Sequence, residues 1–161
     1  SIAFECFYKI QQSKKVQDNH CAYKLDLTKA YDRVEWIFLR SMMEKLGFHT
    51  LWIDMIMACV SSVRYKVRFN SQETEDVVPT KGLRQGDPIS PYLFLIAAEN
   101  LSCPLESSSQ SSVLSGIKVA PTAPAVNHLL SDDDSMLLFK ASNEGANTVS
   151  NLLTIYCNAS G

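Results

Sequence analysis

The chain has 161 residues, of which 46% are hydrophobic and 20% are charged, and its formal net charge is −2 at pH 7. These proportions fit one globular domain and leave too little chain for two comfortable ones. They do not favour a dedicated nucleic-acid-binding domain, which is usually basic. A membrane-spanning helix needs about 20 consecutive apolar residues, and the sequence has no such run.

The cysteines are scattered and contain no C-x-x-C pair, which argues against a zinc site, and their odd number argues against a complete disulfide framework. No signal-peptide pattern is visible at the start of the chain. We therefore expect an intracellular, reducing compartment. The five cysteines are Cys6, Cys21, Cys59, Cys103 and Cys157.

The first predicted elements are a helix, a loop and a strand. The segment Ile2–Gln12 predicts a helix with three aromatic side chains on one face, Phe4, Phe7 and Tyr8. The polar, lysine-rich stretch Ser13–His20 predicts an exposed loop. Cys21–Leu27 predicts a short strand that carries an acid near its end.

Two helices and a hairpin are expected next. Val34–Leu46 predicts a helix that ends at Gly47, a common residue after a helix C-terminus. An apolar stripe predicts a second helix, with Trp52, Met55, Ile56, Cys59 and Val60 at helical spacing. Apolar and basic residues then alternate from Arg64 to Phe69, which indicates a half-buried strand, and the polar residues 70–73 indicate a turn into a partner strand, Thr74–Val78.

The remaining third predicts a loop, two helices and two short strands. The loop Pro79–Pro91 leads into a helix with Leu93, Ile96, Ala97 and Leu101 on one face, followed by a flexible serine-rich connection, Ser107–Ser112. Two apolar runs flank three aspartates, and a final helix carries Val149, Leu152, Leu153 and Tyr156. With no internal repeat or visible boundary, the order of elements predicts a single α+β domain.

The cluster Ser131-Asp132-Asp133-Asp134-Ser135 lies between the apolar runs Asn127–Leu130 and Met136–Phe139. Two carboxylates about 6 Å apart repel each other by about 3 kcal/mol at an effective dielectric constant of about 20, so adjacent acids call for a cation. Mg²⁺ is the natural counterion for such oxygen ligands. A solvated acidic surface turn is the simpler alternative, and an EF-hand is excluded by spacing.

Asp26 is a second candidate ligand, because it follows the predicted strand and precedes Ala30-Tyr31-Asp32. A lone aspartate at such a position more often caps a helix or lies in a turn. Phosphoryl transfer by two metal ions, however, needs carboxylates from separate elements that meet at one point. Neither acidic motif decides between these interpretations alone.

Three long blocks, taken in order, resemble the reverse transcriptases of LINE-type, non-long-terminal-repeat retrotransposons. They are KLDLTKAYDRVEW (Lys24 to Trp36), KGLRQGDPISPYLF (Lys81 to Phe94) and HLLSDDDSMLLF (His128 to Phe139), and GIKV (Gly116 to Val119) matches as well. The resemblance implies the palm of a right-hand polymerase: an antiparallel sheet with helices packed on one face. Within the single domain 1–161 it implies a palm core at about 21–161, the trailing end of the fingers in 1–20, and no thumb.

The resemblance implies an RNA-directed DNA polymerase that uses an RNA template, a DNA primer and deoxynucleoside triphosphates. It implies two Mg²⁺ ions, with Mn²⁺ as a possible substitute, and a nuclear or cytoplasmic ribonucleoprotein rather than a membrane. Asp26 would bind both ions, and the carbonyl of Leu27 would complete one coordination shell. Asp133 would be the second shared ligand, and Asp134 would be its neighbour with a weaker role.

The same resemblance implies a nucleotide pocket. Tyr31 falls where the family places the side chain that excludes a ribose 2′-hydroxyl, and Gln85 and Gly86 would line the pocket. The residues expected to shape the loop against template and primer are Arg84, Asp87 and Pro88. A glycine in such a loop lets backbone approach a ligand closely.

Two residues depart from the family pattern. Ser131 stands where the family has Phe or Tyr, and Asp132 where it usually has Ala. An alternative register takes Asp132-Asp133 as the acidic pair, but the flanking apolar runs favour Asp133-Asp134.

The departures leave other interpretations open: a catalytically inactive retrotransposon relic, or a non-catalytic RNA-binding module on the same scaffold. A group II intron maturase is a further enzyme alternative, although the first two blocks are closer to the LINE set. We expect the missing fingers segments to precede Ser1 and the thumb to follow Gly161.

Overall fold

The computed structural model describes residues 2–12, 19–25, 29–111, 113–130 and 135–161. These residues form helices and strands in the following order: α1 (Ile2–Gln12), β1 (His20–Leu25), α2 (Ala30–Arg33), α3 (Trp36–Lys45), α4 (Thr50–Ser61), β2 (Arg68–Phe69), β3 (Gln72–Glu73), α5 (Ser90–Gln110), β4 (His128–Leu129), β5 (Ser135–Lys140) and α6 (Asn143–Ser160).

The chain divides into two compact units. The first contains Ser1–Thr28 and Ala98–Asn158, and the second contains Lys29–Ala97 and Ala159–Gly161. One boundary falls within α5 and another near the end of α6. Each unit is described below by itself.

A three-stranded antiparallel sheet forms the centre of the first unit, with the strand order β1-β5-β4. The register of β1 and β5 runs from His20 opposite Lys140 to Leu25 opposite Ser135. Leu137 and Leu138 in the middle strand are almost completely buried. The structure therefore confirms the strand predicted from Cys21 as far as Leu25, and the two apolar runs around the acidic cluster.

Helices contact both faces of this sheet. On one face Cys6 of α1 packs against Leu138 and Ile117. Successive strand residues point to opposite faces, and Phe139 on the other face lines an apolar groove together with Val149 of α6. The expectation that the helices lie on one face is therefore wrong for this unit, because α1 packs Cys6 against one face and α6 lies against the other. The aromatic face predicted for α1 is exposed rather than buried.

The segment Ser107–Ser112 was predicted to be a flexible connection, but its residues 107–110 form the last turn of α5, and Ser112 lies outside the described residues. The Ser107 hydroxyl donates to the carbonyl oxygen of Cys103 at 3.0 Å, and Leu101 and Leu105 bury the preceding turns. Serine hydroxyls can hydrogen-bond to the carbonyl one turn back, which is compatible with helix. The serine content predicted a flexible segment, but burial of the neighbouring Leu101 and Leu105 favours a helix.

In the second unit, the helix predicted from Val34 to Leu46 is confirmed as α3, which begins two residues later, and the short α2, which was not predicted, precedes it. Val34 and Glu35 have extended backbone dihedrals, with ψ of 113° and 128°, so the helix restarts at Trp36. The predicted stop at Gly47 is confirmed: its φ is +80°, which favours glycine. Its amide donates to the Glu44 carbonyl at 3.0 Å.

The helix α4 is confirmed, but its buried stripe differs from the predicted one. Ile53 and Ile56 are buried, whereas Met55 and Cys59 are exposed. Almost every position of TLWIDMIMACVS is apolar, so two overlapping stripes satisfy the helical period. Packing against α3 selects the stripe that begins at Ile53.

The predicted hairpin forms with a tighter turn than expected, but the expectation of a half-buried strand is wrong, since Tyr65, Val67 and Phe69 are all exposed. β2 and β3 pair antiparallel around Asn70 and Ser71, whose φ values of 48° and 62° match the two-residue turns that suit twisted strands. An isolated bridge joins Tyr65 to Val77 further along.

Candidate functional site

The residues predicted to bind metal lie outside the described part of the chain, namely Asp26, Leu27, Asp133 and Asp134, together with the two departures Ser131 and Asp132. The strands on either side of them are described. Leu25 and Ser135 are register partners at the ends of β1 and β5. Ser135 is 1% exposed, whereas its partner Leu25 is half-buried.

Tyr31 lies in α2 and is half-buried. Its ring stacks on the ring of Phe94, with centroids 5.2 Å apart and an interplanar angle of 19°. Stacking of this kind contributes about 0.5–1.5 kcal/mol beyond the area buried. The Tyr31 carbonyl also accepts a hydrogen bond from the Leu83 amide at 2.8 Å, so backbone and side chain are both held.

Gly82 brings the loop after residue 80 against the segment after α2. Its amide donates to the Val34 carbonyl at 2.9 Å, and its carbonyl accepts from Nε1 of Trp36 at 2.8 Å. A Cβ atom at this position would lie 2.8 Å from the carbonyl oxygen of Asp32, and φ is +93°. Both the space and the dihedral require glycine.

The loop residues predicted to contact nucleotide, template and primer lie largely in solvent. Arg84, Gln85, Gly86 and Pro88 are exposed and Asp87 is half-buried. Gly86 has φ +84°, and a Cβ there would meet nothing within 4 Å. The positive φ, rather than close packing, therefore accounts for glycine at this position.

Asp87 and Ser90 give the loop its internal hydrogen bonds. The Asp87 carboxylate accepts from the Ile89 amide at 3.1 Å, and the buried Ser90 hydroxyl donates to the Arg84 carbonyl at 2.7 Å. These bonds close the loop onto the start of α5. The sequence predicted a shaping role for Asp87 but did not single out Ser90, which is an ordinary serine in the sequence pattern.

A cavity of about 250 Å³ lies beside this loop. Its lining includes Trp36, Val60, Tyr65, Arg84 and Leu93. The lining combines apolar side chains with charged ones, among them Asp32, Lys81 and Asp87. Trp36 was missed as a site residue by sequence reasoning, since its partner Gly82 lies 46 positions away.

In the first unit, a chain of hydrogen bonds attaches β4 to α5. Asn127 is buried and donates through Nδ2 to the Leu105 carbonyl at 2.8 Å. Its Oδ1 lies 2.7 Å from Nδ1 of His128, and Nε2 of His128 lies 2.8 Å from the Ser102 hydroxyl. Because Asn127 presents its oxygen to the imidazole, we assign the proton to Nδ1, and Nε2 accepts from Ser102.

Burial lowers the pKa of His128 from its usual value, and the charges of Glu106 and Glu99 oppose that effect. The imidazole is thereby favoured in its neutral form, as the assigned hydrogen bonds require. The sequence analysis included His128 only as the first residue of the third block, and the sequence pattern did not indicate its hydrogen bonds to Ser102 and Asn127.

Within the described ranges, no cluster of three or more His, Cys, Asp or Glu side chains could hold a metal ion. The helices described here include none long and apolar enough to cross a membrane.

Comparison with known proteins identifies the class. The family profile "Reverse transcriptase (RNA-dependent DNA polymerase)" matches residues 2–160. The retrovirus-related Pol polyprotein of the type-1 retrotransposable element R2 of Popillia japonica is 28% identical over 133 residues, which is 82% of this chain and 22% of that protein. A second R2 polyprotein of the same organism is 26% identical over 131 residues, which is 80% of this chain and 18% of that protein.

An uncharacterised mitochondrial protein of Arabidopsis thaliana is 48% identical over 59 residues, which is 37% of this chain and 48% of that protein. The chain therefore spans about half of the Arabidopsis protein and about a fifth of each R2 polyprotein. The chain belongs to the reverse transcriptase family, and within that family it is similar to the R2 polyproteins of non-long-terminal-repeat retrotransposons. The family implies a palm fold, with which the observed helices and antiparallel sheet are consistent.

Proposed function

We propose that the protein containing this chain is an RNA-directed DNA polymerase of a non-long-terminal-repeat retrotransposon. It would extend a DNA primer on an RNA template with deoxynucleoside triphosphates, inside the cell, and this chain would supply the palm. The observation that carries the proposal is the pairing of Leu25 with Ser135, because these residues are the immediate neighbours of the acidic positions in the first and third family blocks.

The pairing supports convergence of the acids. Asp26 follows Leu25 and Asp134 precedes Ser135 in the sequence, and consecutive Cα atoms are about 3.8 Å apart. Two segments that continue from paired residues of antiparallel strands start out as neighbours. We propose that Asp26, Asp133 and Asp134 use this arrangement to bring carboxylates from separate strands to one point, as two-metal phosphoryl transfer requires.

The donor set fits Mg²⁺, with Mn²⁺ as a substitute, because carboxylate and carbonyl oxygens are the ligands these hard cations prefer. Asp26 and Asp133 would be shared ligands, the Leu27 carbonyl would complete one shell, and Asp134 would have a weaker role. When bound, the ions stabilise charge on the attacking and leaving oxygens of the transferred phosphoryl group. The chain's own contribution is to hold these oxygens in place.

The second unit would select the incoming nucleotide. Tyr31 would lie against the sugar and exclude a ribose 2′-hydroxyl, and its stack on Phe94 limits how far the ring can turn away. Gln85 and Gly86 are exposed and would line the pocket, with Gly86 leaving open space beside its backbone.

Template and primer would contact the same loop. Arg84 is an exposed cation suited to a phosphate, and it has no ion pair among the described residues. Asp87 and Pro88 would fix the backbone course that presents it.

Primer extension by the protein translated from the full reading frame tests the proposal. With an RNA template, a DNA primer, deoxynucleotides and Mg²⁺, we expect extension that Asp26→Asn and Asp133→Asn each abolish. Asp54→Asn is the matched control, because that exposed carboxylate pairs with Arg40 at 2.7 Å on the surface, and this variant should retain activity. Extension that survives both Asp26→Asn and Asp133→Asn would contradict the proposed roles.

Ser131 and Asp132 favour one alternative, an inactive relic. A folded protein that binds RNA without Mg²⁺ but never extends a primer would support the relic or the RNA-binding module over the polymerase.

A further inference from the structure

We infer that Trp36 is a positioning residue for nucleotide selection: its indole N–H holds the loop that carries Gln85 and Gly86 onto the segment that carries Tyr31. The inference deepens the proposed function and rests on it for its consequence in catalysis. The hydrogen bond from Trp36 to Gly82 can be tested without measuring polymerase activity.

Three hydrogen bonds join the two segments. The Leu83 amide donates to the Tyr31 carbonyl at 2.8 Å, and the Gly82 amide donates to the Val34 carbonyl at 2.9 Å. The third comes from a side chain: Nε1 of Trp36 donates to the Gly82 carbonyl at 2.8 Å. The peptide between Gly82 and Leu83 is thus held on both sides, since its carbonyl accepts from Trp36 and its N–H donates to Tyr31, and rotation of this peptide breaks both bonds.

The close approach depends on the absence of a side chain at residue 82. The Asp32 carbonyl oxygen lies 2.8 Å from where a Cβ of Gly82 would be. There is thus no room for a side chain between the two backbones, and outward movement of the loop would lengthen the Trp36 hydrogen bond. The indole therefore acts at the point of closest contact.

Packing also supports this loop, because the Leu83 side chain is 4% exposed and belongs to the buried core. The cavity of about 250 Å³ is lined by Trp36, Gly82, Leu83 and Arg84 together with residues of α4 and α5. Groups that border such a space lack the dispersion contacts that a filled core would provide. The Trp36 hydrogen bond therefore adds a fixed point at Gly82, a residue that borders the cavity.

The neighbouring ion pair is a weaker candidate for the same role. Lys81 and Glu35 are 3.1 Å apart, but their side chains are 45% and 40% exposed. Pairs at this exposure typically contribute about 0–1 kcal/mol and are screened by salt. The indole is half-buried, and its hydrogen bond is less exposed to competition from water.

The contact between Trp36 and Gly82 bears on the relative positions of Tyr31 and Gln85. Tyr31 contributes its carbonyl to this contact and its ring to the proposed sugar site. Gln85 follows Leu83 by two positions in the sequence. Loss of the Trp36 bond would let these two groups move apart, which would raise KM for the nucleotide and weaken discrimination against a ribose before it lowers kcat.

Amide hydrogen exchange tests the contact on this chain. Trp36→Phe keeps an aromatic ring and removes the N–H, so we expect exchange at the Gly82 and Leu83 amides to accelerate about two- to tenfold, the range for one net hydrogen bond. The amides of Tyr65 and Val77, which bond each other's carbonyls at 2.9 and 2.7 Å, are the internal reference. Trp52→Phe is the matched control, since Trp52 lies in α4 and its ring stacks on Phe48.

Trp36→Phe changes the size of the ring as well as removing the N–H, and a second substitution separates these two changes. In a Trp52→Phe background, replacing Trp36 by benzothienylalanine preserves the shape of the indole and substitutes sulfur for the N–H. We expect the same acceleration at Gly82 and Leu83. Exchange that stays at the wild-type rate in this protein, or that rises equally at Tyr65 and Val77, would overturn the inference.

The kinetic test uses the protein from the full reading frame. We expect Trp36→Phe to raise KM for deoxynucleotides and to lower discrimination against ribonucleotides several-fold, with kcat changed much less, and Trp52→Phe to change neither. An active polymerase with unchanged discrimination would overturn the inference and leave the proposed function intact. Absence of extension by the wild-type protein would instead count against the proposed function, while the exchange experiment would still decide the contact.

Discussion

Leu25 and Ser135 are register partners across β1 and β5, and each is one residue away from an acid of the family's catalytic blocks. The sequence separates them by more than a hundred positions. Antiparallel pairing makes the two blocks adjacent, which is the structural basis for proposing a shared metal site.

Restoring the family residues at the departures should stabilise the fold. If an aromatic site at residue 131 is buried, Ser131→Phe would refill it, and losing such a ring typically costs about 3–5 kcal/mol. Asp132→Ala should remove carboxylate repulsion and act mainly at low Mg²⁺, where the acids are uncompensated. The two positions are adjacent, so their effects need not add.

Thermal melts of wild type, both single variants and the double variant, with and without Mg²⁺, measure these effects. A rise in Tm for Ser131→Phe at every Mg²⁺ concentration is the expected result. A double variant that melts no higher than wild type would mean that local repacking accommodates both residues, and the relic interpretation would lose its main physical support.

Tyr31→Val should raise ribonucleotide incorporation by the full-length polymerase while deoxynucleotide use continues. Tyr31→Phe keeps the ring and its stack on Phe94, so it should retain discrimination. Tyr92→Val changes a tyrosine that is 67% exposed on α5 and serves as the control. Unchanged discrimination in Tyr31→Val would show that Tyr31 is a packing residue.

Gly82→Ala should destabilise the chain more than Gly47→Ala. Both glycines have a positive φ, +93° and +80°, so alanine is strained by about 1–2 kcal/mol at each. At Gly82 the new methyl would also lie 2.8 Å from backbone, whereas at Gly47 it would meet nothing within 4 Å. Urea unfolding should therefore give a lower midpoint for Gly82→Ala, and equal midpoints would mean that the loop moves freely away from Asp32.

Acidification should destabilise the chain in part through His128. Burial lowers the pKa of its imidazole in the fold, so the unfolded chain binds the proton more tightly. The contribution of neutral His128 is fully present above the unfolded pKa of about 6.5 and is lost as pH falls through the lower folded value.

His128→Gln removes this titration, so the free energy of unfolding should fall less between about pH 7 and pH 5 than in wild type, as measured by urea unfolding at each pH. Identical pH slopes for the two proteins would show that the imidazole stays accessible to protons in the fold.

The sequence predicted the elements whose periodicity is decided locally. α1, the strand pair around the acidic cluster and the stop at Gly47 follow from alternation, apolar runs and one glycine. The buried face of α4 was not predictable, since nearly all its positions are apolar and only α3 distinguishes Ile53 from Met55. The helical state of Ser107 depends on its buried neighbours rather than on its own type.

The site was predictable to the extent that it resembles a family. Tyr31 and the loop after Lys81 were identified from their blocks. The contact of Trp36 with Gly82 and the chain from Ser102 through His128 to Asn127 join residues 46 and 26 positions apart. No periodicity or local motif encodes such pairs, because they are set by how the backbone brings distant segments together.

The central claim is that Asp26 and Asp133 share two metal ions, and crystals of this chain grown with Mn²⁺ test it most directly. Anomalous scattering should show two ions about 3.5–4 Å apart, with the carboxylates of Asp26 and Asp133 both in contact with them. Carboxylates separated by much more than about 8 Å, roughly the span that shared metal ions could bridge, with no ion between them, would contradict the account.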